Sequence, residues 1–346
     1  MRKLKKPPKL NPGDKAATVS LSWGGAGDDE IRWRYQQGKE RLQSLFGLEI
    51  VEMPHTLASP SFVYNNPQAR AEDLMAAFSD PTVKGIFCCV GGDDTIRLLP
   101  FIDYDIIRNN PKVFMGYSDS TVNHLMCFKA GLSSIYGPAV LTDFAENIKM
   151  PEYTVHWLKK ALFSSEPIGE IYPSAEWTSE RLEWTAENKN TSRKFFKNRG
   201  HEVLQGSGKA QGHLIGGCIE VFDWLRGTGL FPDIDDFCGA ILFFETSEDK
   251  PPPCNIGYIL RAMGAMGVLE RVNGIVFGKP CDNKYYGEYK PEIRKVLAEY
   301  GKSEMPVLYN LSFGHCEPKF CIPYGAKAEI DCDRTAFSIL ESGTSE

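Results

Sequence analysis

Short apolar runs separated by amphipathic stretches fill the first 140 positions. Positions 16–22 read as a strand, 28–46 as a helix and 48–52 as a second strand. Across 69–78, Leu74, Ala77 and Phe78 recur at helical spacing, and Asp80-Pro81 stops the run. The stretch 83–90 is almost continuously apolar, which marks a strand buried on both faces. A helical pattern follows over 95–107, a short strand over 113–115, a helix over 120–130 closed by Gly131, and a strand over 133–136. Such alternation predicts a parallel sheet covered by helices on both sides.

The texture changes after Pro167. Residues 174–199 are polar, hold Trp177 and Trp184 and show no period; 187–199 reads as loop. Strand patterns then return at 206–214, 239–245, 274–278, 305–311 and 326–331, with helices at 219–226, 256–266 and near 292–300. The expected division is a parallel-sheet α/β domain over 1–166, a linker and tryptophan-bearing loop over 167–204, and a second, mixed and strand-rich α/β domain over 205–346.

A chain of 346 residues is long enough for two cores, and 42% apolar with 24% charged residues is an ordinary globular balance. The net charge of −6 is spread out, and only the segment from Met1 to Lys6 is basic. A nucleic-acid partner therefore has no electrostatic support. That basic start runs into Pro7 and Pro8 and reads as a solvated tail. No apolar leader follows it, and no run approaches the roughly eighteen residues of a membrane span. The chain reads as cytoplasmic, with no membrane partner. Its ten cysteines include no CxxC pair, so buried reduced thiols, Cys88 and Cys89 among them, are expected rather than a metal site.

The sharpest chemical signal is Val113-Phe-Met-Gly-Tyr-Ser118-Asp-Ser-Thr121, an apolar strand turning into a helix. A serine on such a turn projects from the carboxyl edge of a sheet, beside backbone N–H groups at a helix start. That suits an acyl-transfer nucleophile, because an oxyanion forms where donors already aim. The motif is G-x-S-x-S rather than G-x-S-x-G, and helix capping by Ser118, Asp119 or Ser120 is the bland alternative.

A serine needs a base, and there are six histidines. His55, His156 and His201 lie in polar surroundings. His124 falls on the helix after Ser118, turned away from it, and His213 lies in a glycine-flanked run where helix entry is explanation enough. His315 follows the strand at 305–311, in a strand-end loop of the kind that carries function. For the orienting acid, Glu245 ends the very apolar run at 241–245, where an unpartnered carboxylate is costly. Glu248 and Asp249 remain rivals. Gly91 and Gly92, with Asp93 after them, end the buried strand at 83–90; glycines there let backbone N–H groups approach a ligand.

In order, Gly91-Gly92-Asp93, Gly116-Tyr-Ser-Asp-Ser-Thr121, Tyr136-Gly-Pro138, Gly212-His-Leu-Ile-Gly-Gly217, Phe244-Glu245-Thr246 and Phe313-Gly-His315 resemble the LD-carboxypeptidase family of serine peptidases, across nearly the whole chain. The pattern is nearest to the family's branch of microcin C immunity proteins. The resemblance implies a flavodoxin-like first domain bearing Ser118 as nucleophile and a second supplying Glu245 and His315. It also implies an oxyanion hole from the N–H groups of Gly92 and Asp119, no metal or cofactor, and a homodimer. Its immunity branch cleaves the amide joining an aminoacyl or peptidyl group to a modified nucleotide, a small-molecule substrate. A tryptophan in the interdomain loop stacks on the base, here Trp184 first and Trp177 second. The alternatives are removal of a terminal D-amino acid from murein tetrapeptide, or a module that binds ligand without catalysis. Two departures stand out: Cys218 where the family often has Asn, and Tyr136 where murein-type members often have His.

Overall fold

The computed structural model describes residues 3–346. Its strands, in chain order, are β1 (Lys15–Val19), β2 (Glu49–Glu52), β3 (Val83–Cys88), β4 (Val113–Gly116), β5 (Ile135–Tyr136), β6 (Gly169–Ile171), β7 (Glu176–Trp177) and β8 (Phe196–Lys197). They continue as β9 (Glu202–Gln205), β10 (Lys209–Cys218), β11 (Ile241–Glu245), β12 (Gly274–Gly278), β13 (Val307–Leu311), β14 (Ile322–Pro323), β15 (Lys327–Asp331) and β16 (Ala336–Ile339).

The first sheet runs β14-β5-β4-β3-β1-β2 and is parallel except for β14. β3 and β4 sit inside it with almost every residue buried, as strands covered on both faces must be. The second sheet runs β6-β16-β15-β10-β11-β12-β13-β9, a parallel centre of β10 to β13 with antiparallel strands on either side. The expected class, a parallel-sheet α/β unit followed by a mixed, strand-rich one, is what the chain forms. Chain order and sheet membership part at two strands: β14, late in the chain, joins the first sheet, and β6 pairs with β16 in the second.

Three sequence expectations change. The N-terminal segment is not a solvated tail from Lys3 onward, although Met1 and Arg2 lie outside the described residues. Lys5 N–H donates to Gly131 O and Lys5 O accepts from Ser133 N–H, while Leu10 is 1% exposed. The prolines keep this strap extended, and the backbone bonds fix it. The run 212–217 is strand, not helix entry: β10 continues to Cys218 and the helix begins at Ile219. A Cβ at Gly216 would sit 1.8 Å from Phe243 O and one at Gly212 2.2 Å from Gly239 O, so these glycines let β10 press against its neighbour. Finally, a helix at Glu152–Leu162 buries Trp157, Leu158, Ala161 and Leu162 along one stripe, which the sequence reading left unassigned.

Candidate active site

β4 delivers its chain to a strained turn. Tyr117 is extended at φ −142°, Ser118 adopts φ 63°, and a short 3₁₀ turn leads into the helix Thr121–Ala130. A left-handed serine is costly and persists where its surroundings over-determine it. Here Ser118 N–H donates to Tyr136 Oη at 3.0 Å, and Thr121 Oγ1 donates to Ser118 O at 2.7 Å. Gly91 lies against the serine, since a Cβ there would be 2.8 Å from Ser118 Cβ. Helix capping does not explain the segment: Ser120, at the N-cap, makes no side-chain capping bond. Asp119 instead turns to the glycine loop, its Oδ2 accepting from the N–H groups of Asp94 and Thr95 and from Thr95 Oγ1. That fastens the Gly91-Gly92 turn beside the serine.

Residues distant in the chain meet at this hydroxyl. His315 Nε2 lies 3.0 Å from Ser118 Oγ, and His315 Nδ1 lies 2.7 Å from Glu245 Oε2. Glu245 is 1% exposed, and its other oxygen accepts from Tyr136 Oη at 2.5 Å. Space for this carboxylate comes from two glycines. A Cβ at Gly278 would be 2.9 Å from Glu245 Cβ, and one at Gly314 (φ 92°) 2.5 Å from Glu245 Oε2. A hydroxyl against an imidazole that a buried carboxylate orients is the arrangement nucleophilic acyl transfer requires.

The rival carboxylate is also present, on the other ring nitrogen: Glu248 Oε2 is 2.8 Å from His315 Nε2, and its other oxygen meets Arg181 Nη1 at 3.4 Å. Burial pushes the His315 pKa down, but Glu245 and then Glu248 outweigh it and hold the value up at about 10. His124 is the contrast. It is buried between Gly116 O at 2.9 Å and Ser134 Oγ at 2.8 Å, and burial lowers it to about 4. It packs the core as a neutral ring.

Ser118 opens into a cleft of about 570 Å³. Gly91, Gly92 and Asp93 line one wall, and Cys218, Glu220, Ser247, Glu248 and Asp249 the other. The loop between β7 and β8 closes over it with Arg181, Trp184 and Arg193. The Trp184 ring is 6.2 Å from that of Trp23, with the Arg34 guanidinium 4.7 Å from its centroid. Trp177 does not line the cleft; it packs on Phe196 at 5.5 Å, with the Lys279 ammonium 4.7 Å from its ring. Arg193 ties the loop down through Glu146 and through Glu317 at 3.0 Å, two residues beyond His315.

The sequence alone singles out neither Trp23 nor Arg193, and gives Tyr136 no role. Trp23 stands just past β1, before Gly24-Gly25, and strand-end position was its signal. Arg193 had none, because its partners are far along the chain. Tyr136 joins two buried polar groups, so Tyr136→Phe leaves Glu245 Oε1 and the Ser118 N–H without their partner. The expected cost is about 2–4 kcal/mol of stability, read as a lowered Tm with the overall circular dichroism unchanged.

Among known proteins, residues 17–137 match the LD-carboxypeptidase N-terminal domain and residues 211–330 the LD-carboxypeptidase C-terminal domain. A Vibrio cholerae protein assigned to the carboxypeptidases is 31% identical over 310 residues, 88% of this chain and 89% of its own. The microcin C7 self-immunity protein MccF of Escherichia coli is 29% identical over 310 residues, 89% of this chain and 88% of its own. The crystal structure of an MccF-like protein from Streptococcus pneumoniae in complex with AMP superposes with a TM-score of 0.86 at 35% identity, covering 94% of this chain and 98% of that one.

Proposed function

The chain belongs to the LD-carboxypeptidase family and is a serine peptidase-type hydrolase, and from that premise we propose that it cleaves the amide between an aminoacyl or peptidyl group and a modified nucleotide. Ser118 attacks the acyl carbonyl while His315 Nε2 takes its proton. The N–H groups of Gly92 and Asp119 receive the oxyanion, and His315 then gives its proton to the leaving nitrogen. Glu245 orients the ring through its bond to Nδ1. Water, activated by the same imidazole, releases the acyl group from Ser118. What carries the hydrolase reading is the His315 Nε2 to Ser118 Oγ approach at 3.0 Å inside an open cleft.

The nucleotide half of the reading rests on the aromatic end of that cleft. Trp184 faces it beside Trp23, with Arg34 on the indole, a surface suited to a purine and a nearby anionic group. Trp184→Ala is expected to raise KM for an aminoacyl sulfamoyl adenosine by about tenfold, the lower part of what one base stack contributes, while kcat stays within about twofold. Steady-state kinetics on that substrate read both. The decisive comparison pairs the same substrate with murein tetrapeptide: release of the amino acid from the nucleotide is expected to dominate. A preference for the tetrapeptide would move the protein to the murein reading. If a fluorophosphonate probe labels neither the wild type nor Ser118→Ala, catalysis itself falls and a binding module remains.

A further inference from the structure

Glu248 occupies the place the reaction needs free. Its Oε2 is 2.8 Å from His315 Nε2, the nitrogen that also meets Ser118 Oγ at 3.0 Å. One ring nitrogen presents one proton along one direction, so a bond to Glu248 is made at the expense of the bond to the serine. The two carboxylates on His315 also differ in freedom. Glu245 is sealed at the end of β11, whereas the Glu248 side chain is 44% exposed, on the turn that follows.

The charged groups around the imidazole set its state. Glu245 faces Nδ1 with Tyr136 behind it, Glu248 faces Nε2 with Arg181 behind it, and the Tyr117 ring lies edge-on at 5.1 Å. Lys319 stands beyond Tyr117, neutralised by Asp143 and Glu317. The two carboxylates keep the ring protonated at neutral pH, and a protonated ring accepts nothing from Ser118. The wall continuing from Glu248 bears Asp249 and Glu220, while the cations of the cleft, Arg34, Arg181 and Arg193, stand outside that wall, Arg181 pairing with Glu248 and Arg193 with Glu146 and Glu317.

We propose that Glu248 is a positioning residue that caps His315 in the resting enzyme, and that an acyl group bearing a positive charge draws it off and so frees the base. The proton on Nε2 leaves to solvent by way of the exposed Glu248 carboxylate, and Ser118 then donates to the vacated nitrogen. A lysyl or arginyl group fits this wall: its methylene stem lies along Val221 and Trp224, which also line the cleft, and its charge reaches Glu248. An aspartyl or glutamyl group would add a carboxylate where Glu248, Glu220 and Asp249 already stand.

This inference rests on the hydrolase reading above, and two measurements on the full-length protein separate them. The first is the rate of labelling by an uncharged fluorophosphonate across pH, with Ser118→Ala as the blank. Glu248→Gln is expected to shift the half-maximal pH down by about one unit, so that labelling at pH 7 is about tenfold faster. An unshifted profile overturns the cap. The second is kcat/KM for lysyl against aspartyl sulfamoyl adenosine. Wild type is expected to favour lysyl by about tenfold or more, and Glu248→Gln to cut that preference by about threefold or more, with Asp249 and Glu220 still in place. An absent lysyl preference, or one that Glu248→Gln leaves undiminished, overturns the charge reading. If the probe labels Ser118 but neither nucleotide is cleaved, both the nucleotide substrate and the lysyl preference fall, and the labelling profile still decides the cap.

Discussion

Ser118→Ala is expected to lower kcat by about 10⁴–10⁶-fold, to the residue of rate that binding and oxyanion donors supply without a nucleophile. The size of the loss follows from how completely the site is built around one oxygen. Ser118 sits at φ 63° on the turn after β4, a side chain at Gly91 would collide with its Cβ, and His315 Nε2 is 3.0 Å from its hydroxyl. Asp119, beside it, is buried and turns its Oδ2 to the glycine loop. Alanine keeps the Cβ contact with Gly91, so the fold should hold: Tm is expected to stay within a few degrees of wild type, since only one hydroxyl is lost. Substrate should still bind with a Kd near the wild-type KM. A variant that turned over at more than about a hundredth of the normal rate would place the nucleophile elsewhere.

How far the sequence foretold this site depends on the residue. Ser118, Glu245 and His315 were each legible because each ends a strand pattern, and strand ends carry site residues; that the ends of β4 in one sheet and of β11 and β13 in the other meet was not written in any local pattern. The apolar run at 241–245 favoured Glu245 over its rival Glu248, but that Glu248 would also reach the imidazole was not legible, because it is a matter of which ring nitrogen each faces. The structure puts Glu245 on Nδ1 and Glu248 on Nε2. Trp184 ranked above Trp177 through the family resemblance alone, in a loop without periodicity, and the physical reason is the pairing of β7 with β8, which sends Trp177 to Phe196 and leaves Trp184 beside Trp23. The glycines of β10 misled for a physical reason: glycine is a poor strand former on its own, and its merit here lies in the backbone of β11 that it allows close. The strap around Lys5 and the crossing strand β14 were illegible for the same cause as Arg193. Their partners lie far away along the chain, and no local pattern records them.

Glu245→Gln is expected to reduce kcat on the order of 10⁴-fold, the effect of leaving an orienting residue in place while denying the imidazole its tautomer. The substitution is nearly isosteric, so packing against Gly278 and Gly314 is retained. What changes is donor and acceptor count. Glu245 now accepts twice, from His315 Nδ1 and from Tyr136 Oη. A glutamine amide accepts on one side only. If its NH₂ faces His315, the Nδ1 must be bare, the proton moves to Nε2, and the ring points a donor at Ser118 where a base is needed. If its NH₂ faces Tyr136, the phenol, already accepting from Ser118 N–H, loses the acceptor for its own proton. Either arrangement leaves a buried group unmatched. The pH dependence of stability should change with it. The raised His315 pKa contributes stability that is fully present below about pH 6.5 and is lost as pH rises toward about 10. Without the Glu245 charge that contribution shrinks, so Tm of the variant should fall less between pH 6.5 and 10 than Tm of wild type. Kinetics and thermal melts across that range test both halves, and a kcat within about tenfold of wild type would remove Glu245 from the relay.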